Sequence, residues 1–183
     1  MTRALILIDI QQGFDHPMWG ARNNPDAEEN ATRLLAHWRD QAQPIFHVQH
    51  LSTTPGSPLN PEGGRVDFKP EVAPLAGEQV IQKHVNSAFI DTDLEAQLRA
   101  GGITDLVICG LTTPHCVSTT TRMAANLGFN VTLAHDACAA VAQGADTSWR
   151  DGGSVSPKFI HQAALDHLNG EFAAVLATED ILS

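Results

Sequence analysis

Six short runs along this 183-residue chain concentrate its apolar side chains, at 3–9, 44–50, 78–84, 104–110, 130–136 and 172–177. Most are rich in Val, Ile and Leu with little polar alternation, the pattern of strands buried on both faces. Between them lie stretches of helical period. Three of these open on a polar residue followed by proline, at Asn24-Pro25, Thr113-Pro114 and Ser156-Pro157. There the polar side chain can cap free N–H groups, and proline occupies a position whose N–H has no partner anyway. A fourth start, Thr92 to Glu95, fits a capping box. Glycines at 101, 102, 128 and 170 follow helical patterns as stop signals. Strand and helix in alternation predict a single-domain α/β fold over 1–183, Rossmann-like and three-layered, with a six-stranded parallel sheet flanked by helices.

Two segments interrupt the alternation. Residues 52–70 (STTPGSPLNPEGGRVDFKP) and 143–157 (QGADTSWRDGGSVSP) are rich in Gly, Pro, Ser and Asp, as long loops are. Either active-site walls or subunit contacts would suit them.

Charge and cysteine content narrow the function classes. With 11 Lys+Arg against 21 Asp+Glu the formal net charge is −10, and the basic face that a nucleic acid requires is missing. No apolar run approaches the ~20 residues needed to cross a bilayer, so a membrane role is not expected. The N-terminus reads as neither a signal nor a transit peptide. Three cysteines without a C-x-x-C spacing argue against a disulfide framework or a cysteine zinc site, and a reducing cytoplasm is the expected compartment.

In an open parallel sheet, ligands bind beyond the carboxyl ends of the strands. Asp9 closes the first run, Lys83 and His84 close the third, and Cys116 follows Gly110 by six residues. A cysteine two residues past Pro114 falls in a first helical turn, where free N–H groups and the helix dipole lower a thiol pKa and can hold an oxyanion. The alternative for Cys116 is a small buried hydrophobe, which is the expected role of Cys109 and Cys138. Asp9 could cap a turn or activate the thiol, and Lys83 could be a plain strand-end lysine or steady both charges. His47 and His50, three apart on a strand, point to opposite faces, and no metal-binding pattern occurs, so neither a metal nor another cofactor is expected. For a small-molecule substrate, Phe14, Trp19 and Phe89, with Trp149 as a further candidate, offer an apolar wall. Gln11, His50, Asn86 and His115 offer polar contacts.

The segments LILIDIQQGF, KHVNSAF, GLTTPHCV and the closing IHQAALDHLNGEFAAVLATEDIL resemble the isochorismatase-like cysteine hydrolase superfamily over nearly the whole chain. The resemblance implies a catalytic Asp9, Lys83 and Cys116, and a non-proline cis peptide between Leu111 and Thr112. It also implies an oxyanion hole from the Thr112 and Cys116 backbone N–H groups, and a homo-oligomer. The nicotinamidases of the superfamily carry an Asp-x-His metal site after the second strand. Here no Asp occurs between Asp40 and Asp67, which argues against that activity. Isochorismatases proper cleave a vinyl ether by protonation and do not need the thiol. Cys116 in its full context therefore points to C–N hydrolysis of a small amide or ureido compound. Vinyl ether hydrolysis, a non-catalytic binding protein and a thiol redox sensor stand as the alternatives.

Overall fold

The computed structural model describes residues 2–183. Strands β1 (Arg3–Ile8), β2 (Ile45–His50), β3 (Gln79–Lys83), β4 (Asp105–Leu111), β5 (Asn130–Ala139) and β6 (Ala174–Leu176) form one parallel sheet in the order β3-β2-β1-β4-β5-β6. The helices are α1 (Ala27–Asp40), α2 (Leu94–Ala100), α3 (Ser118–Asn126), α4 (Pro157–Asp166) and α5 (Thr178–Leu182). The six-stranded parallel α/β architecture expected from the sequence is the one observed. Among the described residues no helix is long and apolar enough to cross a membrane.

The apolar runs with least alternation became the central strands. Residues 4–8 of β1 and 106–111 of β4 are buried throughout, whereas edge strand β3 exposes Gln79, Val80 and Gln82. Helix α1 packs across β1, β2, β4 and β5 and also meets α5, while α3 packs against β5. One continuous core, from Leu5 and Ile6 through Leu34, Leu98, Ile108 and Leu133, joins the layers. β5 runs beyond the expected 136 because its register against β4 shifts between Ile108 and Gly110, adding residues to one strand of the pair.

The chain grows outward from β1 in one direction through β2 and β3, then returns to the other side of β1 with β4, β5 and β6. That reversal opens a crevice between the carboxyl ends of β1 and β4, where parallel sheets place their ligands. β1 ends beside Asp9, whose φ of 51° turns the chain sharply, and β4 ends at a cis Leu111–Thr112 peptide. Between them Gly110 lies against β1 with φ of 125°. A Cβ there would stand 2.1 Å from the Ile8 carbonyl oxygen, so β1 and β4 approach closely only because this residue has no side chain.

The helix starts differ in detail from their sequence signals. Ser156 caps α4 as expected, accepting from the Phe159 N–H at 3.2 Å. Asn24 does not cap α1. Its side-chain amide instead donates to the His135 and Cys138 carbonyls at 3.2 and 2.8 Å, tying the N-terminal loop to β5. The capping box over Thr92 to Glu95 is replaced: Thr92 Oγ1 donates to the Ala88 carbonyl, and Glu95 pairs with Arg99 at 2.8 Å. The Thr113-Pro114 start is a π-helical turn over Thr113–Val117, with the Val117 N–H reaching back five residues to the Thr112 carbonyl at 3.3 Å before α3 begins.

Candidate active site

The three residues singled out at strand ends meet at the crevice. Asp9 and Lys83 are fully buried, and Cys116, on the π turn, is 8% exposed toward a cavity of about 320 Å³. Lys83 Nζ lies 2.7 Å from Asp9 Oδ2, 2.9 Å from His50 Nδ1, 3.1 Å from the Val85 carbonyl and 3.3 Å from Cys116 Sγ. An ammonium has three hydrogens for these four neighbours. The His50, Val85 and Cys116 contacts have hydrogen-bond geometry. The Asp9 contact is an ion pair off those directions, so both Asp9 carboxylate oxygens are buried without an aligned donor. A buried carboxylate left so incompletely satisfied is costly unless a site uses it.

Burial pushes the Asp9 carboxyl above its ordinary value, against the opposing pull of the Lys83 charge. Burial also pushes the Cys116 thiol up, and the Asp9 charge adds to that rise while Lys83 opposes it. The sequence reading of a thiol lowered by its helix start is therefore corrected: desolvation and a neighbouring anion outweigh the few free N–H groups of the turn. The resting thiol is protonated, and it faces a carboxyl group whose proton affinity burial has raised. Cys109 and Cys138 are free, fully buried in the sheet, and pushed up by the same burial, Cys138 to about 12, as small buried hydrophobes would be.

Donor atoms of Asp9, His50 and Cys116 lie within 4.8 Å of one another, close enough to be considered for a metal ion. Lys83 Nζ touches all three, so the ammonium itself fills the position a cation would take. His50 is held neutral, its pKa lowered to about 4 by burial first and then by the Lys83 and His84 charges. Because Lys83 can only donate, His50 Nδ1 accepts and its proton resides on Nε2. His47 points the other way, fully buried against Glu78 at 2.7 Å.

The substrate contacts expected from the sequence divide. Phe14 and Trp19 pack ring to ring at 5.2 Å and line the cavity, Trp19 held by its indole N–H to the Gly13 carbonyl at 2.9 Å. His50, Asn86 and His115 line it too, with Asn86 Oδ1 3.8 Å from Cys116 Sγ. Gln11 does not. It is fully buried, its amide donating to the His50 and Val66 carbonyls and accepting from the His50 N–H, so it clamps the ends of β1, β2 and the 52–70 loop together. Phe89 is also corrected: it is 8% exposed and stacks on Phe129 at 6.0 Å within the core. Trp149 is 80% exposed and borders a separate surface groove with Phe159.

The 52–70 loop, expected as an active-site wall or a subunit contact, supplies Ser52, Ser57 and Leu59 to one wall, and the 143–157 loop supplies Gln143 and Gly144 to the other, none of them singled out individually, while Val141 lies outside both expected segments. Their signal was positional, since they begin the two loops that follow β2 and β5 at the carboxyl edge. The first loop is anchored at its far end by buried Lys69, whose ammonium bridges Asp15 at 2.6 Å and Glu28 at 2.8 Å.

With this geometry in place, the isochorismatase domain description matches residues 3–180. The chain belongs to the isochorismatase family. This isochorismatase-family hydrolase is 42% identical over 182 residues to the family protein YrdC of Bacillus subtilis, covering 99% of this chain and 95% of that one. An isochorismatase-family structure from Chromobacterium violaceum superimposes with a TM-score of 0.92 at 45% identity, over 99% of this chain and 92% of that one. Streptothricin hydrolase of Streptomyces noursei is 35% identical over 139 residues, covering 74% of this chain and 49% of the other.

Proposed function

We propose that this family member hydrolyses a C–N bond of a small amide or ureido compound through a thioester on Cys116. The observation that carries the reading is a buried, incompletely satisfied carboxylate beside a buried thiol, with one ammonium touching both. The likeness to streptothricin hydrolase favours hydrolytic chemistry at this site.

In the proposed cycle Asp9 takes the Cys116 proton as sulfur attacks the carbonyl carbon. The oxyanion accepts from the Thr112 and Cys116 backbone N–H groups. Asp9 then gives the proton to the departing nitrogen as the C–N bond breaks, leaving a thioester. Water attacks next, losing a proton to Asp9, which passes it to the departing sulfur, so that the thiol is regenerated and an amide yields a carboxylic acid, a ureido compound a carbamic acid. Lys83 keeps Asp9 ionised between these transfers and faces the sulfur throughout.

Incubating the protein with a panel of small amides and ureido compounds, quenching in acid and weighing the intact chain should reveal an acyl mass on the peptide containing Cys116. Turnover without any such adduct under rapid quench, together with adducts confined to other residues, would overturn the reading. The pH profile provides a second check. Because burial raises the Asp9 pKa, kcat/KM should fall on the acid side with a midpoint above the ordinary 3.8, the base being lost as pH drops through its folded-state value. A midpoint at or below 3.8, with circular dichroism unchanged over the range, would remove Asp9 from the role of base.

A further inference from the structure

The cavity over Cys116 has a chemical character that its position does not require. Among the described residues no lysine, arginine, aspartate or glutamate lines it. Burial favours the neutral form of its two histidines, lowering His115 as it lowers His50. Lys83, beneath the floor, is paired with Asp9, Lys69 with Asp15 and Glu28, and Arg22 with Glu28. What remains is an aromatic wall from Phe14 and Trp19, whose rings tilt 33° to each other, aliphatic contacts from Leu59 and Val141, and neutral hydrogen-bonding groups such as Ser52, Asn86 and Gln143.

We propose that the cavity selects uncharged amides or ureides carrying a flat or apolar group, and rejects substrates that bring a carboxylate into it. The proposal rests on the reading of this cavity as the substrate site. A carboxylate drawn down to the walls there would lose part of its water and meet no charged lining residue, whereas a neutral amide meets donors and acceptors it can use. The cavity is at the small end of ligand-site volumes and opens to solvent, so the selection acts on the part of the molecule that enters it next to Cys116. Selection of this kind is exerted by the walls and is independent of what the sulfur does afterwards.

A matched pair of thiol reagents separates the two questions. Iodoacetamide is a small uncharged amide, and iodoacetate differs by bearing a carboxylate. Both alkylate sulfur with loss of iodide and transfer of the thiol proton to solvent. Labelling of Cys116 is followed by peptide mass mapping at about 0.5 M KCl, which screens long-range repulsion from the net charge of −10. The rate ratio of iodoacetamide to iodoacetate should exceed that of 2-mercaptoethanol by about 10²-fold, a factor in keeping with an uncompensated buried charge. Gln143→Arg, which puts a cation on the wall, should lower that excess by about tenfold. A ratio within a few-fold of 2-mercaptoethanol, an excess unmoved by Gln143→Arg, or failure of iodoacetamide to reach Cys116 would each overturn the proposal. Strong selectivity without any acyl adduct from amides would leave the neutral cavity standing and sink the hydrolytic reading instead.

Discussion

Cys116→Ala is expected to lower hydrolysis of any amide substrate by about 10⁴-fold or more, since in the proposed cycle the step it removes is the covalent one. The side chain is small, sits at the cavity floor and contributes little packing, so thermal unfolding should move by no more than a few degrees. The buried Lys83 and Asp9 retain each other, and Lys83 still reaches His50 and the Val85 carbonyl, so no buried charge is left unpaired. Steady-state product release at saturating substrate, with circular dichroism on the same sample, decides the matter. Near wild-type turnover in a folded variant would shift the chemistry from sulfur to Asp9, the pattern of vinyl ether protonation.

Gly110→Ala should be the most damaging single-methyl change in the chain. The added Cβ would lie 2.1 Å from the Ile8 carbonyl oxygen and 2.7 Å from the Ile8 N–H nitrogen, with φ of 125° on a residue that now has a side chain. Because the clashing atoms are backbone, no rotamer change relieves them. β1 and β4, the two central strands, must separate at the level where Asp9 and Thr112 follow. A loss of more than about 4 kcal/mol, or failure to fold, is expected. Urea unfolding of the purified variant measures it; a midpoint close to wild type would show that the strands can slide apart more easily than their packing implies.

Much of this was legible in the sequence because strand order and strand ends obey simple rules. Val, Ile and Leu runs marked the buried strands, and parallel topology sent the residues closing those runs, Asp9, Lys83 and the Gly110 segment, to one edge. The environment of those groups was not legible. The helix-start position of Cys116 suggested a lowered thiol, yet burial beside Asp9 raises it, and burial depends on loops whose paths no local pattern encodes. Gln11 was misread for a related reason. A polar residue near a site looks like a substrate contact until its backbone partners, 39 and 55 residues away, are known. Phe89 sits close to Lys83 in sequence but turns into the core because Phe129 receives it. Ser57, Leu59 and Gln143 lie on loops with no period, so only the fold could bring them to the sulfur.

The Gln11 clamp has an implication for how this molecule can change. It ties the end of β1 to the backbone at His50 and Val66, and Ser52, Ser57 and Leu59 lie on the stretch of chain between those two points. Substitutions on that stretch can reshape the wall over the sulfur while both of its ends stay pinned, so a single glutamine separates the adjustable part of the cavity from its fixed floor.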